Sequence, residues 1–271
     1  MHHEDFGAHG NHWGNTFPDL DIEAFARTAR VPRERPERPT AGTSTGTATG
    51  GPTYISGDPS VPDSSEYNIQ INFVGSWSSD LRQDFIAAAN AISDFILGDV
   101  PSVGARRSVV DDISITASLM SIDGAGGILG QAGPDALRAG SYLPYKGSMQ
   151  FDAADAQVYQ SAGLFDDIVL HEMLHTVGFG TIWSQKGLLT GGGFNGPLAN
   201  AVYPGSALIP VETDGGGGTA YSHWDEDTFG SELMTGYIDG DNYLSYMTVA
   251  SLGDLGYSVV SGASYAPPSF V

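Results

Sequence analysis

The chain has 271 residues, enough for one large or two small domains with a substantial core. Its 32 Asp and Glu outnumber 11 Lys and Arg, and the formal net charge of −21 disfavours binding to a nucleic acid or to an anionic membrane surface. The chain has no cysteine, which excludes disulfides, thiolate zinc ligands and cysteine nucleophiles. No apolar run approaches the roughly 20 residues of a transmembrane helix.

The first 53 residues differ in composition from the rest. Four of the seven histidines lie within the first twelve positions, and an Arg-Pro-Glu stretch is followed by a Thr-Gly-Ser run. Such a composition cannot bury enough apolar surface to fold alone. We therefore predict a flexible N-terminal arm or pro-segment with a linker at 1–53.

Hydrophobic periodicity predicts the order strand, helix, strand, strand, strand, helix in the part that follows. Residues 67–73 alternate between apolar and polar, which is typical of a half-buried strand. A helix is predicted from Ser78 or Ser79 to about Leu97, because its apolar residues recur at helical spacing. The other predicted elements are strands at 113–119, 127–132 and 148–152 and helices at 164–177 and 245–256.

The second predicted helix carries a His-Glu-x-x-His motif. His171 and His175 are four residues apart, so both imidazoles face one point, as two nitrogen ligands of one zinc ion do. Glu172 lies beside them, close enough to hold a zinc-bound water. The surrounding residues are nearly all apolar, and three buried polar side chains are costly without partners. Metal ligation removes that cost, while ordinary hydrogen bonds are the alternative interpretation.

Two further features favour a metal site. Outside the N-terminal arm the chain has three histidines, His171, His175 and His223, and a catalytic zinc site needs three protein ligands and one open position. Gly178 follows His175 by three residues. A glycine there can adopt a positive φ and turn the chain sharply beneath the metal, although an ordinary helix C-cap looks the same.

The segment around His223 carries a specific resemblance. It reads TAYSHWDEDTFGSELMTGY, and 44 residues (179–222) separate it from Gly178. The motif HExxHxxG, a distant His-Trp-acid segment and a Glu-Leu-Met turn together resemble the leishmanolysin family of the metzincin metalloproteases. The short metzincin motif has its third His where this chain has Thr181. The similarity extends over about residues 66–258. Because it has no cysteine, the chain resembles a bacterial-type relative of the family.

The resemblance implies a zinc-dependent endopeptidase that hydrolyses peptide bonds in proteins by attack of a zinc-bound water. Its substrate would be a protein or peptide bound in extended form. By this resemblance, one catalytic Zn²⁺ is bound by His171, His175 and His223. Glu172 is the general base, and Gly178 forms a turn that ends the helix. Met234 forms a Met-turn, which lies under the zinc as an apolar floor and does not bind it.

The resemblance also implies an α+β fold. The upper subdomain (54–178) would hold a mixed twisted sheet and the active-site helix. The lower subdomain (179–271) would be loop-rich, with the third histidine, the Met-turn and a C-terminal helix. An edge strand near 127–132 would pair with the substrate in the cleft between the subdomains.

Two interpretations of the metal site stay open beside this one. A carboxylate from Glu212, Glu226 or Glu232 could replace His223 as the third ligand, but the spacing of Gly178 and Met234 would then be unexplained. Ca²⁺ could bind an acidic glycine-rich turn, although such turns are common without a metal. The turns in question are at Asp239, Asp241 and 214–218.

Two other functions also stay open. The chain could be a non-catalytic metzincin-fold binding or adhesive module with structural zinc, although such a module does not need Glu172. It could also be a zinc hydrolase acting on something other than a peptide. We expect an exported, extracellular monomer with no nucleic-acid partner and no transmembrane segment, although no cleavable secretory signal is visible.

Overall fold

A computed structural model describes residues 53–104, 109–126, 128–205, 208–214, 216 and 218–261. The fold is α+β, as predicted, with a mixed five-stranded sheet, a small three-stranded sheet and six α-helices in this part of the chain. The elements in chain order are β1 (Thr53–Ile55), β2 (Ile69–Val74), α1 (Ser79–Phe95), β3 (Ile113–Met120), β4 (Gly130–Leu137), β5 (Pro144–Asp152), α2 (Ala153–Ala162), α3 (Phe165–Thr176), β6 (Leu189–Thr190), β7 (Gly193–Phe194), α4 (Pro197–Val202), β8 (Ile209–Pro210), α5 (Glu226–Phe229) and α6 (Tyr246–Leu255).

The large sheet has the strand order β1-β2-β3-β5-β4. Its three central strands are parallel, and β1 and β4 add antiparallel at the two edges. The predicted alternation is confirmed in β2, where Ile69, Ile71 and Phe73 are buried and the residues between them are only partly buried. The sheet therefore presents one apolar face for helices to cover.

Aromatic side chains join this face of the sheet to α1 and α3. Ser78 caps α1 by accepting the N–H of Leu81, and α1 then brings Phe85 onto the sheet. The ring of Phe85 lies 5.4 Å from that of Phe151 in β5, and Phe151 lies 5.3 Å from Phe165 at the start of α3, both in edge-to-face geometry. This packing holds α3 against β5, and α3 also lies beside β4.

Several elements differ from the sequence prediction. The strand predicted at 127–132 lies at β4, several residues further along the chain. Helix α2 was not predicted, because it buries only Asp155 and Ala156 and has no apolar stripe to reveal it. Strands β6, β7 and β8 have two residues each, too few for alternation to be visible. The predicted arm lies outside the described residues except for Thr53.

Helix α6 is the last helix of the described residues, and its prediction is confirmed. Ser245 caps it by accepting the N–H of Thr248, and Gly256 ends it in a left-handed conformation. Among all helices in the described residues, none is both long and apolar enough to cross a membrane.

Candidate metal centre

Helix α3 lies in the interior of the protein and carries the candidate site. Every residue from Asp167 to Thr176 is buried, and the side chains of His171, Glu172 and His175 have no exposed surface. Buried polar groups need partners, since an unpaired one costs several kcal/mol, on the order of 2–7 by transfer measurements. The partners of these three side chains therefore decide what the site is.

The three histidines meet at one point. The Nε2 atoms of His171 and His175 are 2.9 Å apart, and those of His175 and His223 are 3.0 Å apart. The Nε2 atoms of His171 and His223 close the triangle at 3.1 Å. Three nitrogens bonded tetrahedrally to one zinc ion at about 2.0–2.1 Å would be about 3.3 Å apart, so the triangle is slightly smaller than that of a zinc site. A three-histidine donor set also suits zinc chemically.

Backbone carbonyls orient all three rings. The Nδ1 of His171 lies 2.7 Å from the carbonyl of Leu233, that of His175 is 3.0 Å from the carbonyl of Phe179, and that of His223 is 3.0 Å from the carbonyl of Thr219. A carbonyl can only accept, so each Nδ1 donates its proton. Each Nε2 is then left unprotonated, with its lone pair available to a metal.

Burial keeps the imidazoles neutral. Desolvation lowers the pKa of His171 to about 3 and that of His223 to about 4. Desolvation, with a smaller contribution from the neighbouring imidazoles, also lowers the pKa of His175 well below its ordinary value. Neutral imidazole is the form that ligates a metal ion.

Glu172 is the polar side chain between the two histidines of α3. It is fully buried, and neither carboxylate oxygen has a hydrogen-bond partner among the described residues. Burial raises the pKa of this carboxyl to about 8. An unpartnered carboxylate in the interior destabilises the protein. A polar ligand bound beside the histidines would give Glu172 a partner and remove that cost.

The turn after α3 returns a carbonyl to the second histidine. Gly178 has a φ of 116°, and its backbone N–H donates to the carbonyl of His175. This left-handed turn brings the Phe179 carbonyl back to the His175 ring. Thr181, the residue at the position of the third His in the short metzincin motif, donates its hydroxyl to the His175 carbonyl at 2.9 Å.

Backbone pairing holds His223 at the end of its long excursion. The N–H of Glu212 donates to the His223 carbonyl at 3.0 Å, and the N–H of Tyr221 donates to the Glu212 carbonyl at 2.7 Å. The next residue, Trp224, donates its N–H to the carbonyl of Met234 at 2.9 Å. The segment that carries His223 is thus joined directly to the turn at Met234, which is itself fully buried.

Gly180 lies against the same segment, and the sequence prediction missed it. A Cβ at Gly180 would lie 2.1 Å from the backbone oxygen of Ser222, and the φ of Gly180 is 68°. Gly187 has nearly the same φ, 67°, but a Cβ there would meet nothing within 4 Å. The two glycines therefore share a left-handed backbone but differ in the close approach and in burial, since Gly180 is buried and Gly187 is exposed.

We expect Gly180→Ala to destabilise the protein far more than Gly187→Ala. The alanine at 187 costs about 1 kcal/mol for its left-handed backbone. The alanine at 180 adds overpacking of about 1–3 kcal/mol. It also displaces the segment before His223 and weakens metal binding. Thermal unfolding and zinc titration of both variants test this, and equal unfolding temperatures would contradict it.

Two of the acidic residues considered as alternative ligands, Glu212 and Glu232, have other partners. Glu212 accepts the backbone N–H groups of Thr213 and Asp214, and the N–H of Met234 donates to Glu232. No carboxylate belongs to the group formed by the three histidines. Within the described chain, the other close group of potential ligands is Asp99, Asp111 and Asp112, which includes neither Asp239 nor Asp241.

Comparison with known families bears on the segment of the third histidine. The family model described as Leishmanolysin matches residues 204–265, which contain His223, Met234 and α6. This part of the chain is leishmanolysin-like. The match supports the resemblance seen in the sequence, and it favours a metallopeptidase. No curated protein matches the chain. The match begins at residue 204 and therefore does not include α3. The link between α3 and the matched segment is the convergence of His171 and His175 with His223.

Proposed function

We propose that the protein is a zinc-dependent endopeptidase. The observation that carries the proposal is the triangle of three neutral imidazoles, with Nε2 separations of 2.9–3.1 Å, together with the buried, unpartnered carboxylate of Glu172, the residue after His171. A purely structural zinc site is normally closed by four protein ligands. Here three side chains converge, and Glu172, a buried carboxyl next to His171 in the chain, is suited to proton transfer.

The roles of the residues follow from their positions. His171, His175 and His223 would hold the zinc, and Nδ1 hydrogen bonds to backbone carbonyls would keep them in the ligating tautomer. Zinc, when bound, supplies a Lewis acid that makes water a stronger nucleophile near neutral pH and stabilises negative charge on the substrate carbonyl oxygen. Glu172, ionised beside the bound cation, would take the proton of the attacking water. It would then deliver that proton to the leaving amine nitrogen as the C–N bond breaks.

Strand β4 is the proposed binding edge for the substrate. It is the last strand of the large sheet and packs beside α3, and its outer edge pairs with no other strand of the described residues. An extended peptide could add to this edge by main-chain hydrogen bonds, which would place its backbone near the histidines. In the metzincin-like arrangement that we propose, β4 belongs to the upper subdomain (54–178). The lower subdomain (179–271) supplies His223 and a Met-turn at Met234.

Removal and return of the metal tests the proposal. Purified protein should contain one zinc per chain and should cleave casein at internal peptide bonds. Treatment with a chelator should remove both the zinc and the activity, and a stoichiometric addition of zinc should restore them. If the zinc-loaded protein bound casein but left it intact, the result would instead favour a non-catalytic binding module.

A further inference from the structure

Glu232 is a fully buried carboxylate that the proposed mechanism does not use. It lies in the turn between α5 and α6, two residues before Met234. Its Oε2 accepts the N–H of Met234 at 2.6 Å. Its Oε1 accepts the N–H and the hydroxyl of Ser245, at 3.0 and 2.7 Å, and the hydroxyl of Thr248. One carboxylate therefore joins the turn at Met234 to the first turn of α6.

The bonds of Glu232 lead to two of the three imidazoles. The first path runs through the turn itself, because Leu233 lies between Glu232 and Met234 and its carbonyl accepts the Nδ1 proton of His171. The second runs through Thr248, whose hydroxyl accepts the indole N–H of Trp224 at 2.8 Å. Trp224 directly follows His223 in the chain.

We propose that Glu232 is a positioning residue for the metal site. Its carboxylate holds the Leu233 carbonyl against His171 and, through Thr248, holds Trp224 and hence the backbone of His223. The inference rests on the proposed function, because it assumes that these imidazoles hold zinc. Loss of a partner that orients a ligand typically lowers metal affinity by about 10–100-fold.

The asymmetry of the four bonds makes Glu232→Gln a selective test. A glutamine can place its amide oxygen at only one of the two carboxylate positions. Three donors point at Oε1 and one points at Oε2, so the oxygen should occupy the Oε1 position. The amide NH₂ then faces the N–H of Met234, and the two donors repel each other. The turn is disturbed while the bonds to α6 are kept.

We expect Glu232→Gln to raise the zinc dissociation constant by about 10–100-fold in chelator competition. It should also shift the visible absorption bands of the cobalt-substituted protein, because the geometry of the ligands changes. The matched control is Ser251→Ala, which removes a buried hydroxyl bonded to the Thr248 carbonyl in the same helix. That variant should lower the unfolding temperature slightly and leave zinc affinity and the cobalt spectrum unchanged.

A second pair of variants applies if Glu232→Gln does not fold. Thr248→Ser keeps the hydroxyl that links Glu232 to Trp224, whereas Thr248→Val removes it with little change in shape. We expect the valine variant to bind zinc more weakly and the serine variant to retain wild-type affinity.

The inference would be overturned if Glu232→Gln had the zinc affinity and the cobalt spectrum of the wild type. It would also be overturned if the two Thr248 variants bound zinc equally tightly. Glu232 would then only anchor α6. If the wild-type protein itself binds no zinc, the proposed function fails first. The outcomes are therefore distinguishable.

Discussion

Glu172→Gln is expected to abolish peptide hydrolysis while leaving zinc bound. The substitution keeps the size of the side chain but removes its capacity to take a proton from water. A positioned general base contributes about 10²–10⁴-fold to a rate, so kcat/KM should fall by at least about 100-fold. Zinc content should stay at one per chain, because the ligating Nε2 atoms belong to the three histidines.

The control for this variant is Asp166→Asn, which makes the same chemical change in the first turn of the same helix, away from the histidines. It should retain both zinc and activity. The measurement is steady-state hydrolysis of a peptide substrate, with metal analysis of the same preparations. Wild-type turnover in Glu172→Gln would remove Glu172 from the mechanism.

His223→Ala is expected to lose the zinc. The other two ligands lie one turn apart on α3, and His223 comes from a segment 48 residues beyond His175. Loss of a hydrogen bond that orients a ligand lowers metal affinity by about 10–100-fold. Loss of a ligand itself should lower the zinc affinity by more than that, because only two imidazoles remain. Activity should disappear with the metal.

Ser222→Ala is the matched control for His223→Ala, since it removes only a hydroxyl from the neighbouring residue. Chelator competition measures the zinc affinity of both variants, and circular dichroism checks that both are folded. A His223→Ala protein that holds one zinc per chain at wild-type affinity would mean that another residue is the third ligand.

The local elements were largely predictable because each follows a short-range rule. The alternation of β2, the serine cap of α1 and the glycine that ends α6 are all visible within a few residues of sequence. Helix α2 could not be predicted in this way, since its buried residues form no apolar stripe.

The residue types of the candidate site were visible in the sequence, but its supporting shell was not. Spacing alone places His171 and His175 on one face of a helix. The groups that orient the rings are backbone carbonyls, and any residue has one, so Leu233, Phe179 and Thr219 carry no signal. Their positions depend on long-range backbone pairing, which periodicity does not report.

Glu232 shows a different limit of the sequence. Its spacing suggested a possible third ligand, and a carboxylate near a histidine site is a reasonable candidate for that role. In the structure its oxygens are occupied by Met234, Ser245 and Thr248. Donors separated by up to sixteen residues in the chain decide what this side chain does, and no local pattern identifies them.

Crystallography at the zinc absorption edge tests the central proposal most directly. A crystal of the protein grown without added metal should give one strong anomalous peak, within about 2.0–2.1 Å of the Nε2 atoms of His171, His175 and His223. No fourth side chain should reach it. A peak that lies away from His223, or one that a fourth protein ligand encloses, would contradict the account.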